Sequence, residues 1–218
     1  MAAARGIVLF GDVVDSRLDP PRATAFLRSL RRELETSYPR EERLAGFGFT
    51  QGDELQGLLA PGVNPFLAVL RAGLRADAPG LRWVVVAGPV ERGTGPATER
   101  SGSAFLIARS LVGRAKAQRD GLLAQTGDPE IDALLEDLAP LLPVLISDLT
   151  DRQREVARLI VVEGLRRSDV AERLDVSRAT VSVLADRARV RDLERLARAL
   201  AALFATGERR AMAEGTAA

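Results

Sequence analysis

The sequence predicts an α+β domain followed by an all-α domain. Three observations carry that expectation. Over the first 125 residues, short apolar runs rich in β-formers alternate with amphipathic stretches of helical period. From residue 149 onward the apolar positions recur only at helical spacing. Within that second region a short helix, a tight turn and a capped helix follow one another, the pattern of a helix-turn-helix. A chain of 218 residues has room for one or two such units.

Residues 6–11 (GIVLFG) are too short for a helix and read as a buried strand. Asp12, Asp15 and Ser16 follow. Pro20 and Pro21 open a helix that runs to about Tyr38, with Phe26, Leu27, Leu30 and Leu34 on one face. Residues 44–50 and 54–59 flank Gln51-Gly52-Asp53, a hairpin with glycine in its turn. Asn64-Pro65 opens a second helix to about Ala76. Residues 81–87 (LRWVVVA) form the strongest buried strand. A Gly- and Pro-rich loop spans residues 88–102, and Ser103 starts a helix reaching about Leu123.

The order β-α-β-β-α-β-α is the split βαβ, ferredoxin-like plan, with helices expected on one face of a mostly antiparallel sheet. Residues 1–125 form this unit. Residues 126–148 read as a helical connector broken by Pro140 and Pro143, residues 149–206 as the helix-turn-helix domain, and residues 207–218 as a flexible tail.

Composition narrows the chemistry. Hydrophobic residues make up 46% of the chain and charged residues 28%, enough for a real core. There is no Cys and no His, which excludes disulfides, zinc–thiolate sites, Cys nucleophiles and His general bases. No apolar run reaches the roughly 18–20 residues of a membrane-spanning helix, so a soluble, cytoplasmic protein is expected. Lys116 is the sole lysine among 31 basic side chains, an effect ascribed first to genome composition. The net charge of +1 conceals −2 over residues 1–149 and +3 over residues 150–218. A mildly basic C-terminal part suits nucleic acid.

Thr150 is placed to cap a helix carrying Val156, Leu159, Ile160 and Val162, and Gly164 stops it. Ser168 is placed to cap a short helix over 169–174. Asp175-Val176-Ser177 forms the turn, and Ser177 caps the next helix. Ala171 allows close helix approach, and Val176 and Val181 plug the angle. Arg178, Thr180, Ser182 and Arg187 then face outward, where side chains reach base edges or phosphates. Arg166 and Arg167, just ahead of the second helix, suit backbone contacts. Leu193, Leu196, Leu200 and Leu203 form one stripe on the following helix, open to two readings: a core-facing helix or a dimer seam.

The run SDVAERLDVSRATVS resembles the helix-turn-helix of sigma-factor region 4 and of LuxR-type regulators, over about residues 149–189. The resemblance implies double-stranded DNA as partner, with Ser177 joining the DNA-binding set. A homodimer would suit two half-sites. A helix-turn-helix that binds protein rather than DNA stays open.

In the first unit, Asp12 ends a strand and Asp53 lies at the hairpin tip beside Glu54. Two carboxylates so placed can converge on Mg²⁺ and, through it, on a phosphate. Gly11, Gly52 and Gly57 would let backbone approach that phosphate, and Arg109 would clamp it. The same residues equally fit helix caps at Asp15, Ser16 and Asn64 and a solvated hairpin tip.

The blocks IVLFGDVVDSR, FTQGDELQGLL and LRWVVVAGPV resemble the SatD family. More distantly the layout is similar to class III nucleotidyl cyclases and GGDEF domains. That resemblance implies Asp12 and Asp53 as metal ligands, Gly11, Gly52, Glu54 and Arg109 as nucleotide-binding positions, and Glu99 near a base-reading acid. Phe49 stands where those families carry a base-reading Lys, and Phe105 where they carry an Asn. The expected function is therefore a DNA-binding transcription regulator with a degenerate cyclase-like domain that senses a nucleotide or cyclic dinucleotide. The alternative is a Mg²⁺-dependent nucleotidyl cyclase or transferase directed by its helix-turn-helix.

Overall fold

A computed structural model describes residues 4–50, 53–118 and 121–217. The first strand, β1 (Ala4–Val13), is buried on both faces. Ile7, Leu9 and Val13 enter one core cluster, and Val8 and Phe10 enter another. A strand without a polar face must lie inside a sheet, and β1 does so. It pairs antiparallel with β3 (Glu54–Leu59) on one side and with β4 (Leu81–Val90) on the other. The edge strand β2 (Arg43–Thr50) pairs with β3 through the hairpin read from the sequence. A fifth strand, β5 (Leu122–Gln125), lies parallel to β4, giving the order β2-β3-β1-β4-β5.

β5 was not expected. Its two leucines extend the apolar pattern of the preceding helix, so the sequence reads as one helix to Leu123. In the structure α3 (Ser103–Gln118) stops earlier. A parallel pair needs a crossover, and α3 supplies it. The helices therefore do not share one face. α1 (Pro20–Ser37) and α2 (Phe66–Gly73) pack on the Ile7/Leu9 face, whereas α3 covers the Val8/Phe10 face. α1 is capped by Asp19, whose carboxylate accepts from the Arg22 N–H at 3.1 Å. Asn64 holds the entry to α2 by accepting from the Phe66 N–H at 3.0 Å. Asp15 caps nothing with its side chain.

The connector contains α4 (Pro129–Leu138), capped by Asp128, and α5 (Leu141–Ser147), which starts after Pro140. The helix-turn-helix region follows as α6 (Asp151–Ala157), α7 (Arg167–Arg173) and α8 (Arg178–Arg187). α9 (Val190–Ala217) then runs back to the first half of the chain. Leu193 and Leu200 are fully buried, with Leu196 and Leu203 packed beside them, so the leucine stripe faces the core. Phe204 meets Phe66 of α2 edge to face, with centroids 5.8 Å apart.

The C-terminal residues also depart from expectation. α9 continues to Ala217, and Gly207 is a contact point rather than a helix end. A Cβ there would lie 2.3 Å from the Thr126 hydroxyl oxygen. The next residue, Glu208, is 3% exposed and accepts from the Gly62 N–H at 2.9 Å. Arg210 reaches Glu130 at 3.1 Å.

One hydrophobic core runs from the α1/α2 face of the sheet through α4–α9. Polar contacts reinforce the join. Arg154 donates to the Gly73 carbonyl at 2.7 Å, and Arg158 donates to the Arg71 carbonyl at 3.1 Å. Glu33 of α1 receives Arg158 at 2.6 Å, Arg71 at 3.3 Å and Arg75 at 3.2 Å. The C-terminal helices are thus docked on the α+β half rather than hung from a linker.

Candidate nucleic-acid interface

The three helices α6, α7 and α8 owe their arrangement to local chemistry. Thr150 and Gln153 form a reciprocal capping box at the start of α6, satisfying two otherwise orphan N–H groups. α6 then widens into a π-helical turn over Arg158–Val162. Gly164 follows at φ 68°, where a side chain is disfavoured, and the chain turns away. α7 begins without a side-chain cap: Ser168 lies inside its first turn and donates to Asp169, so it is not the N-cap. Asp175 takes φ 51° in the turn, and the Val176 N–H bonds the Ala171 carbonyl at 3.0 Å. Ser177 caps α8, accepting from the Thr180 N–H at 3.0 Å. Val156, Val170 and Val181 are fully buried, and Ala171 and Ala185 nearly so. Val176 packs partly buried against them.

Burial of Val181 and Ala185 fixes which face of α8 looks outward. Arg178, Thr180 and Arg187 are exposed, and Ser182 is half-buried. Ser177 is exposed, but its oxygen is engaged in capping. Arg166 is exposed ahead of α7, while Arg167 pairs with Asp186 of α8 at 3.2 Å. Arg167 thereby ties the two helices together.

Two features of this surface escape sequence reading. Val183, 49% exposed, lies three residues after Thr180 and four before Arg187, on their face of α8. An outward apolar group there matches the thymine methyl exposed in a major groove. Arg191, Arg195 and Arg198 are exposed along the first half of α9, and none pairs with a described carboxylate. The leucine stripe draws attention away from them, although their spacing puts them on the opposite face. The hollow beside the turn has a different character: Asp169, Glu172 and Asp175 line it together with Arg178.

The acids of the sheet end are also brought together in part. Asp12 faces Glu54 across β1 and β3, and the Val13 N–H bonds the Asp53 carbonyl at 2.9 Å. Asp12 is 4% exposed. Its two oxygens meet Lys116 of α3 at 2.9 Å and Arg82 of β4 at 3.5 Å. The sole lysine of the chain therefore neutralises the buried acid of the central strand. Glu54 accepts from Gln56 at 2.6 Å, and Asp53 accepts from Ser16 at 3.0 Å. Among the described residues no group of three or more acids is assembled around a metal position. As arranged, a divalent cation would have to displace Lys116 from Asp12.

Other expected site residues sit elsewhere. Gly11 faces the core, where the Trp83 ring lies 3.1 Å from the position a Cβ would take. Gly57 gives room to Phe47, whose ring would lie 2.3 Å from such a Cβ. Both glycines serve packing rather than phosphate approach. Arg109 is exposed on α3, without an ion pair to a described residue. Glu99 is exposed in the short 3₁₀ turn Ala97–Glu99. Gly52 lies outside the described residues.

Residues 141–191 match the family model of sigma-70, region 4. No curated protein matches the chain. No described helix is long and apolar enough to cross a membrane. The matched segment begins at α5 and ends just inside α9, so it contains the whole α6–α8 unit. That match supports DNA binding and a part in transcription for the C-terminal helices, which are similar to sigma-70 region 4.

Proposed function

We propose that this chain is a DNA-binding transcription regulator whose α8 enters the major groove. The observation that carries this reading is the face of α8. Its capped N-terminus carries an exposed Arg178 in the first turn, and Thr180, Val183 and Arg187 share the face opposite the buried Val181 and Ala185. Arg191, Arg195 and Arg198 on α9 supply further positive charge for phosphates. Selection of bound duplexes from a random library by the full chain tests the reading. An enriched motif is expected, and a library that stays featureless contradicts it.

A second reading has a specific observation behind it. Asp169, Glu172 and Asp175 crowd the turn ahead of α8 and repel phosphates on that side. A basic protein segment could instead occupy that hollow. Crosslinking of the chain to a polymerase subunit, with no motif enriched from DNA, would favour this version.

The ligand half of the proposal concerns the α+β unit. It holds a nucleotide or cyclic dinucleotide at the sheet end that carries Asp12, Asp53 and Glu54, with Mg²⁺ in competition with Lys116 for Asp12. The adjacency of these acids and the unpaired Arg109 support it. Turnover is not expected, because Phe105 is buried where the related cyclases carry a polar group. Incubation with each nucleoside triphosphate and Mn²⁺, read by mass spectrometry, should give no cyclic product. Product that disappears in Asp12→Ala would replace this reading with a nucleotidyl cyclase.

A further inference from the structure

A cavity of about 450 Å³ opens at the end of the sheet remote from Asp12. Arg40, Arg43 and Arg100 line it, together with the loop Gly93, Thr94 and Gly95. Arg40 belongs to the 3₁₀ turn Arg40–Glu42, Arg43 opens β2, and Arg100 comes from the loop before α3. The location follows from register. Arg43 pairs with Leu59, Leu59 pairs with Ile7, and the loop leaves β4 just after Val90, the partner of Ala4. Asp12 lies five residues or more along β1 from this end, roughly 17 Å away at about 3.3 Å per residue.

The charge of this cavity is unlike the rest of the surface. Half-buried arginines near the join of the two halves pair with carboxylates, as Arg71, Arg75 and Arg158 do with Glu33, whereas here three arginines converge on one cavity. Arg40, Arg43 and Arg100 make no ion pair among the described residues, and no acid lines the cavity. Glu41 and Glu42 share the turn with Arg40 but do not line the cavity, Glu35 is held toward Arg31 at 3.8 Å, and Glu91 accepts from Ser101. Glu99 borders the loop, against Gly95. Arg100 donates to the Glu91 and Leu44 carbonyls at 3.0 and 3.5 Å, which fixes its guanidinium at the rim. The Nε of Arg43 is buried without a partner, a donor that the protein leaves unsatisfied. The N–H groups of Gly93, Thr94 and Gly95 also bond no described residue, and Gly95 stands at φ 90°.

We propose that this cavity binds the di- or triphosphate group of a small phosphorylated molecule. Three guanidinium groups without counter-ions call for an anion of high charge. Their planar forks match pairs of phosphate oxygens, and a single carboxylate would leave most of the charge unmet. The free N–H groups of the loop add donors of the kind that cradle phosphates. The volume lies within the roughly 300–1,000 Å³ of small-molecule sites, so a mononucleotide-sized ligand fits. The inference goes beyond the ligand half of the functional reading: it is a separate site at the opposite sheet end and requires no metal. It does not depend on how α8 meets DNA.

Calorimetric titration of the full chain with inorganic pyrophosphate and triphosphate in EDTA is the test. Saturable binding is expected without divalent cation. It should weaken about tenfold or more in Arg40→Gln and in Arg100→Gln, the loss of a hydrogen bond to a charged group. Arg40 is exposed, so its variant keeps the wild-type melting temperature. Arg28→Gln, an exposed arginine of α1 away from the cavity, should bind as the wild type does. Absence of binding at millimolar phosphate, or equal affinity in all variants, overturns the proposal. Binding that requires Mg²⁺ and is lost in Asp12→Asn also overturns it, while supporting the site at the other end. Duplex affinity that falls in Arg40→Gln, with pyrophosphate unbound, assigns the arginines to DNA instead.

Discussion

Ser177, Arg178 and Glu208 each carry a consequence that one substitution can expose. Ser177 satisfies an orphan N–H of α8, and Ser177→Ala should cost about 1 kcal/mol of stability, measured by denaturant melts. The same change frays the first turn of α8 and should weaken DNA binding beyond its effect on folding. Glu208 lies on the buried face of α9, with one oxygen bonded to Gly62 and the other unpaired among the described residues. Burial pushes its carboxyl above the ordinary value, against a smaller opposing pull from the Gly62 bond, Arg5 and Arg209. A raised folded value means the protonated form is the better fit. The stability it gives is present below the unfolded carboxylate value and lost as pH rises through the folded one. Glu208→Gln should therefore raise the melting temperature at neutral pH, and the gain should vanish in acid. A gain that persists unchanged at low pH would place the effect elsewhere. None of this chemistry was legible at Glu208, because the sequence offers Gly207 as a stop. The close approach of Thr126 and Ile131 explains that glycine.

At the scale of elements, the helix-turn-helix was readable because its signals are local. The Thr150 and Ser177 caps, Gly164 and the small Ala171 act within a few residues, and each occupies its expected position. β5 and the placement of α3 were not readable. A four-residue strand carries too little pattern, and the side of the sheet a helix covers depends on the strand that follows it. The role of α9 was half legible: its leucine stripe was visible, its arginines were not. Arg191→Ala and Arg195→Ala should each reduce the slope of log affinity against log salt by about 1 if they touch phosphates. Unchanged slopes would confine the contact to α8.

For the whole molecule, the continuous core makes a distinct prediction. Two units joined by a connector would melt separately, whereas a shared core from the sheet face to α9 should melt in one transition. Two resolved steps in calorimetry would contradict that. Glu33 is the polar centre of the join, receiving arginines from α2, from the turn after it and from the π turn. Glu33→Gln keeps its shape and removes its charge, and should cost about 1.5–3 kcal/mol. The loss should appear as easier opening of α6–α8 in hydrogen exchange as well as in the melt. Sequence spacing placed Asp12, Glu54 and Asp53 at one sheet end, but it could not foresee Lys116. That residue arrives from α3, on the face of the sheet where no helix was expected.

The central claim is that α8 reads a duplex, and the affinity of Arg178→Ala for the selected DNA tests it most directly. Fluorescence anisotropy on that duplex and on a scrambled one, at fixed salt, gives the comparison. The account predicts a loss of about 1–3 kcal/mol, roughly 5- to 150-fold, on the selected duplex, with the fold intact by circular dichroism. Equal affinity of the variant and the wild type for that duplex would contradict it.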